Sequence, residues 1–148
     1  MKFLTTLLLL TMLYASCGTT NRKTDSKCNY SQIIYEVSSR GKYEYIKISK
    51  TKIVLSSDRN LKNINESNLE NNHWKDLCQL LSKINNETFI NLKAPTDKRY
   101  SDGSANASLS YTIDNKTFIT PTFDEGYPPE KIKLIINKIL SIKQSVLK

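Results

Sequence analysis

The chain has 148 residues, 39% of them hydrophobic, which is the size and composition of one ordinary domain. Its formal charge is +8 at pH 7, but the 22 basic residues are spread along the chain and few of them are arginines. Because there is no clustered basic stripe, we predict no nucleic-acid partner. Attraction to an anionic membrane surface fits the charge better.

Residues 1–16 have the features of a secretory signal peptide. Lys2 precedes an apolar run over residues 3–13 that is too short to cross a bilayer, which takes about 20 residues. We therefore predict export. Removal of residues 1–16 leaves a formal charge of +7, because the basic residues fall from 22 to 21 against 14 acidic ones.

The residues around the predicted cleavage point resemble the lipobox of bacterial lipoproteins. Ala15 and Ser16 are small and precede Cys17, while Tyr14 stands where an aliphatic residue is usual. The resemblance implies cleavage before Cys17 and diacylglycerol on its sulfur, so that acyl chains anchor the protein at about 0.8 kcal/mol per buried methylene. Since no acidic residue follows closely, it also implies the periplasmic face of an outer membrane. The alternative is secretion after ordinary cleavage behind Gly18.

Residues 17–29 are predicted to form the lipidated N-terminus and a flexible tether, because residues 18–27 are polar and lack periodicity. The remaining cysteines are Cys28 and Cys78, and an oxidising compartment favours a disulfide between them. Such a bridge would close a loop of about 50 residues and stabilise the fold by about 4 kcal/mol. Cys78 also lies on the apolar stripe of a predicted helix, so a buried free thiol is the alternative.

Residues 30–148 are predicted to form a single domain that begins with three strands. Apolar and polar residues alternate in three short runs, the first two joined by a turn at Arg40 and Gly41. Polar residues 57–68 follow and predict a loop. The predicted strands cover residues 33–37, 43–49 and 53–57.

Helix and strand signals follow one another in the second half of the chain. Ser67 and Glu70 match a capping box, which predicts a helix start there. Residues 107–113 alternate, a turn over 114–116 allows a return strand, and Pro129 opens a second helix. The element order β-β-β-α-β-β-α indicates an α+β fold, with an antiparallel sheet of about five strands and helices packed on one face.

No catalytic set is recognisable in the sequence. His73 is the only histidine and has no evident nucleophile to activate, so we predict a structural role for it and a core position for Trp74. Residues 102–106 carry side-chain oxygens at alternate positions, but Ala107 and Ile113 replace the glycine and glutamate of a calcium loop. We therefore predict no metal, no cofactor and no enzymatic activity.

The best candidate for a partner contact is the connector before the last helix, residues 123–129 (FDEGYPP). It mixes an aromatic pair with two carboxylates on a predicted loop, where binding residues tend to lie. Alternatively, Gly126 and the two prolines only mark the entry to the helix. The predicted contact residues are Phe123, Asp124, Glu125 and Tyr127, joined by Arg40, Lys98, Arg99 and Tyr100.

Together these segments resemble a family of small uncharacterised lipoproteins of Bacteroidota-type bacteria. The resemblance is carried by Cys17 with its leader, by residues 35–41 (YEVSSRG), 74–84 (WKDLCQLLSKI) and 95–107, and by FDEGYPPEKI with its helix. It covers most of residues 30–142 and implies a location without implying a chemistry. The last strands and helix also resemble emfourin-type protease inhibitors, although no inhibitory motif transfers residue by residue.

Three hypotheses for the function follow. The first is a non-enzymatic binding or interaction module of the cell envelope, held to the membrane by its N-terminal lipid. The second is an inhibitor of an exported protease, and the third is a small envelope hydrolase. The partner would be an envelope protein or a protease, and the sequence leaves its identity and the oligomeric state open.

Overall fold

The domain is built on one antiparallel sheet. The computed structural model describes residues 28–147, so the predicted signal peptide, Cys17 and most of the tether lie outside the described residues. The strands are β1 (Tyr30–Ser38), β2 (Tyr43–Ile48), β3 (Lys52–Ser56), β4 (Asn65–Asn68), β5 (Asn106–Ile113), β6 (Lys116–Ile119) and β7 (Phe123–Asp124). They lie in the order β4-β3-β2-β1-β5-β6, and β7 pairs with β5 next to β6.

Within residues 28–147, three α-helices cover one face of this sheet. They are α1 (Asn71–Leu81), α2 (Asn86–Ile90) and α3 (Glu130–Val146), and a 3₁₀ helix (Lys98–Ser101) precedes β5. Their apolar sides share one hydrophobic core with the inner face of the strands. The predicted α+β class with an antiparallel sheet is therefore confirmed.

The central strand β1 shows why alternation fixes the fold. Ile33, Tyr35 and Val37 are at most 2% exposed, and Tyr35 lies opposite Ile46 of β2 and Leu109 of β5. Successive residues of a strand point to opposite faces, so this row is buried under the helices as a unit. At about 25 cal/mol per Å² of apolar surface removed from water, such rows supply most of the driving force for folding.

The region before α1 differs from the prediction. Ser67 does not cap a helix, because it belongs to β4 and pairs with Ile53 of β3. The helix begins at Asn71, and Glu70 precedes it without a side-chain capping bond. Backbone pairing along the edge of the sheet thus overrides the weak strand propensity of residues 65–68.

The prediction of about five strands also missed β7. The edge strand beside β5 is interrupted after β6, where Thr120 bridges the gap. Its N–H donates to the Leu109 carbonyl at 3.0 Å, and its buried hydroxyl accepts from the Leu109 N–H at 3.1 Å. Pro121 has no N–H to continue the ladder, and pairing resumes at Phe123. The predicted connector is therefore partly strand.

The sheet has two ends of different construction, which we call the Cys28 end and the Asp124 end. At the Cys28 end, Tyr30 pairs with Ile113. At the Asp124 end, Ser38 pairs with Asn106, which pairs with Asp124 in turn. The nine residues of β1 separate the two ends by about 30 Å.

A disulfide closes the Cys28 end. It joins Cys28 to Cys78 of α1 with 5.7 Å between their Cα atoms, so of the two alternatives for these cysteines the structure has the bridge. Tyr111, two residues before the end of β5, is the centre of an aromatic cluster. Its ring centroid is 4.6 Å from that of Phe89, 5.3 Å from Tyr30 and 5.4 Å from Phe118.

Candidate functional site

A buried carboxylate organises the Asp124 end. Asp124 is fully buried and accepts four hydrogen bonds, which come from three residues of the segment before β5. Thr96 donates its hydroxyl at 2.5 Å, and the Lys98 and Arg99 N–H groups donate at 2.7 and 2.9 Å. Asp124 thereby fixes a segment that lies about 25 residues earlier in the chain.

The Asp124 side chain is held as an anion. Burial alone would raise the pKa of Asp124, because it disfavours charge. The hydrogen bonds from Thr96, Arg99 and Lys98 outweigh burial and hold this pKa well below its ordinary value of 3.8. Since its oxygens are already occupied by these donors, Asp124 is a structural anion and not a free base.

Arg99 connects this anion to the surface. Its side chain is 5% exposed, with Nη1 3.1 Å from Asp124 Oδ1 and 2.6 Å from the Thr96 carbonyl. Nη2 donates to the Tyr100 hydroxyl at 3.0 Å, and the guanidinium lies 4.3 Å from the centre of the Tyr100 ring. Tyr100 is 77% exposed, so a buried ion pair supports a protruding aromatic ring.

Tyr127 forms the second half of the site. Gly126 has a positive φ of 83°, which glycine adopts freely, and this turn lets the Tyr127 N–H donate to the Asp124 carbonyl at 2.9 Å. The Lys98 ammonium lies 4.2 Å from the Tyr127 ring centroid. Tyr127 is 46% exposed. We call Tyr100, Tyr127, Lys98 and Arg99 together the tyrosine platform.

Salt bridges and backbone bonds border the platform. Glu125 pairs with Lys42 at the β1–β2 turn, and its N–H donates to the Ala105 carbonyl at 2.9 Å. Asp97 is 78% exposed and lies 3.4 Å from Arg99 Nη1. Charges of both signs therefore surround the two aromatic rings.

The predicted contact residues are only partly surface residues. Phe123 and Asp124 are fully buried, which removes both from the predicted contact surface. Arg40 is exposed in the β1–β2 turn, and the residue of this turn that pairs with Glu125 is Lys42. The residues brought together at or beside the platform are Lys98, Arg99, Tyr100, Glu125 and Tyr127.

Sequence reasoning missed two members of the site. Thr96 and Lys42 carried no motif, and each reaches its acidic partner across a long stretch of chain. The local signal for Thr96 was its position directly after Pro95, but such pairs are common in loops. The role of Thr96 follows only from its hydrogen bond to Asp124 of β7, and that of Lys42 only from the approach of the β1–β2 turn to Glu125.

The other candidates form a less complete site. Trp74 is buried, as predicted, while His73 is half-buried with Nδ1 unbonded among the described residues. A cleft of about 600 Å³ opens between β2, the loop after β3 and the end of α3. Two residues that line this cleft, Glu44 and Lys143, form a salt bridge, with 2.9 Å between Glu44 Oε1 and Lys143 Nζ.

Within residues 28–147, no three or more acidic, histidine or cysteine side chains are grouped as a metal site would require. In the same part of the chain, no helix has the length and apolar character needed to cross a membrane. The sequence matches no protein-family model and no curated protein. The geometry of the platform is therefore the basis for assigning a function.

Proposed function

We propose that this protein is an exported bacterial lipoprotein whose folded domain is a non-enzymatic binding module of the cell envelope. The observation that carries the proposal is the tyrosine platform. It presents two exposed aromatic rings on backbone that a buried, fully hydrogen-bonded carboxylate holds in place. Lipid on Cys17 would hold the module at the membrane.

The platform has the composition of a binding hot spot. Tyrosine and arginine are enriched among the residues that dominate interface energies. Tyr100 and Tyr127 are also preorganised, because a cation lies within 4.3 Å of each ring centroid. Cation–π contacts of this kind contribute about 0.5–1 kcal/mol at exposed sites, and a ring that is already ordered loses less entropy on binding.

The chemistry of the acidic group favours binding over catalysis. A general base needs a pKa near the working pH and an oxygen free to take a proton. The pKa of Asp124 is instead shifted downward, and its oxygens already accept from Thr96, Lys98 and Arg99. Asp124 therefore positions the platform.

The anchor is tested by metabolic labelling with a palmitate analogue. Wild-type protein should take up the label, and Cys17→Ala should lose it together with its membrane association. Ser16→Ala keeps a small residue before the cysteine and serves as the matched control, which should still be labelled. Equal labelling of wild type and Cys17→Ala would refute lipidation at this residue.

The platform is tested by crosslinking in cells with a short photoreactive reagent that does not couple to amines. The tagged protein is then recovered with its crosslinked partner. The Tyr100→Ala/Tyr127→Ala variant should lose about tenfold or more of its crosslinked partner, as expected for two hot-spot tyrosines. Leu134→Ala is the control, because Leu134 is an exposed apolar residue of α3 that is not a member of the platform. Unchanged recovery with the tyrosine variant would reduce FDEGYPP to a structural turn.

We propose inhibition of an exported protease as a second candidate, because the exposed Tyr100 ring is carried by backbone that is hydrogen-bonded to Asp124. A protruding loop with fixed backbone is the shape that a protease cleft accepts. Titration of an exported protease with the purified domain distinguishes this candidate. An inhibitor would abolish activity at a stoichiometric ratio, whereas a general binding module would leave the rate unchanged.

A further inference from the structure

We infer that the tyrosine platform faces away from the membrane and inserts into a pocket on a protein partner in the aqueous compartment. The inference rests on the proposed lipid anchor and adds a direction and a partner class to it. It follows from the position of Cys28, relative to where the platform lies.

The start of the domain is fixed at the Cys28 end. The disulfide attaches Cys28 to α1, and β1 begins two residues later at Tyr30. At the other end of β1, Ser38 pairs with Asn106, and Asn106 pairs with Asp124. The tether therefore enters at one end of the sheet, and the platform lies at the opposite end.

The length of the connecting chain restricts the reach of the platform. From Cys17 to Cys28 there are 28 − 17 = 11 steps along the chain, which span roughly 40 Å at most. A random-coil segment of that length spans about 20 Å on average. The platform lies about 30 Å beyond Cys28 along β1. Turning the sheet over to bring the platform onto the membrane would require the segment to span about 30 Å, roughly three quarters of its full length and more than its average span, so the outward orientation is favoured.

The charges around the platform agree with this direction. Asp97 is 78% exposed, and the Glu125 carboxylate also reaches the surface beside Lys42. An anionic lipid surface repels exposed carboxylates and attracts uninterrupted basic clusters. Mixed signs around the platform therefore fit an aqueous partner better than lipid headgroups.

The shape of the platform selects a protein over a glycan or a small molecule. Sites for small ligands are concave and enclose most of the ligand. Tyr100 instead protrudes, with 77% of its surface exposed. Aromatic residues inside a polar rim are typical of protein–protein interfaces, where each ring fills a pocket on the other protein. The platform supplies the rings, and the partner supplies the pocket.

The test places a photoreactive amino acid at one position at a time in the full-length protein. Tyr100 and Tyr127 report on the platform, while Lys50 and Lys116 are exposed positions at the Cys28 end. Only the pool labelled by the palmitate analogue is analysed. Loss of that pool would show failure of the anchor itself, separately from failure of the orientation.

We expect phospholipid adducts when the probe is at position 50 or 116. When it is at position 100 or 127, the yield of phospholipid adducts should be at background level. The photoreactive amino acid is aromatic, so at residues 100 and 127 it keeps the ring that the partner binds and should give one discrete protein adduct. Tyr100→Ala removes a ring and should abolish the adduct when the probe is at residue 127. Circular dichroism checks that each variant is folded. Phospholipid adducts of equal yield at both ends, or only glycan adducts at the platform, would overturn the inference.

Discussion

The two ends of the sheet are stabilised by opposite kinds of chemistry. At the Cys28 end, a disulfide and the aromatic rings around Tyr111 join the strands to α1 and α2. At the Asp124 end, a buried anion and Arg99 join β7 to the 3₁₀ helix. One end is covalent and apolar, while the other is ionic and hydrogen-bonded.

Under the proposed function, this difference would suit two tasks. The Cys28 end would carry the tether, and a covalent bond suits that because it is independent of small shifts in packing. The Asp124 end would present the exposed rings in a defined orientation, which the directional hydrogen bonds from Lys98 and Arg99 to Asp124 provide. Perturbations that weaken one end should therefore spare the other.

Removing the disulfide should have the largest effect on stability. In Cys28→Ala/Cys78→Ala the loop between the two positions is open in the unfolded chain, and we expect the free energy of unfolding to fall by about 4 kcal/mol for the sequence separation of 50. Denaturant unfolding measures the loss. Cys17→Ala is the control for removing a cysteine and should unfold at the wild-type midpoint. The same midpoint for the double variant would show that the bridge does not stabilise the fold.

Neutralising Asp124 should weaken the other end. Asp124→Asn leaves the Arg99 side chain, which is 5% exposed, without its buried anion, and we expect the melting temperature to fall by roughly 10 °C or more. Thermal unfolding followed by circular dichroism checks this. Asp97→Asn is the matched control, because Asp97 contacts the same arginine from an exposed position and should change the melting temperature little. Equal effects of the two substitutions would contradict a special role for the buried carboxylate.

The elements that sequence reasoning predicted are those whose side chains face the core. Ile33, Tyr35 and Val37 alternate because one face of β1 is buried, so the pattern records the fold directly. The turn between β5 and β6 was visible for a similar local reason. Asp114 and Asn115 both have positive φ, 48° and 61°, which asparagine and aspartate tolerate in two-residue hairpin turns.

The elements that sequence reasoning missed depend on distant partners. Strand β4 (NESN) has no apolar face, and only its backbone pairing with β3 makes it a strand. Asp124 looked like a surface residue because it is charged and adjoins a Gly/Pro turn. Its burial comes from a segment about 25 residues earlier, which no local pattern links to it. The tyrosines, Lys98 and Arg99 were all predicted as contacts, but the cation that lies against each ring is known only from the structure.

Of the three perturbations, changes of pH should have the smallest effect on stability. They should distinguish the contribution of Asp124 from that of Tyr111. Because the pKa of Asp124 is lowered from 3.8, its contribution is present above the unfolded pKa and is lost as pH falls through the folded one, so acid weakens the Asp124 end. Burial, with a smaller effect of Tyr30, raises the pKa of Tyr111 from 10.0 to about 12. That contribution is present below pH 10.0 and is lost as pH rises towards about 12, so alkali weakens the packing around Tyr111. Burial and nearby Glu125 also raise the pKa of Tyr35, which sets an alkaline background shared by the variants.

The variants distinguish these two effects in melting curves recorded at pH 3, 7 and 11. Asp124→Asn should lose less stability than wild type between pH 7 and 3, and Tyr111→Phe should lose less between pH 7 and 11. Asp58, whose pKa is lowered by the N–H groups of Asn60, Lys62 and Asn63, remains in both variants and sets a shared acid background. If wild type and Asp124→Asn lost the same melting temperature between pH 7 and 3, protonation of the buried anion would not be the cause of the acid destabilisation. The tyrosine platform would then owe its position to the surrounding backbone alone.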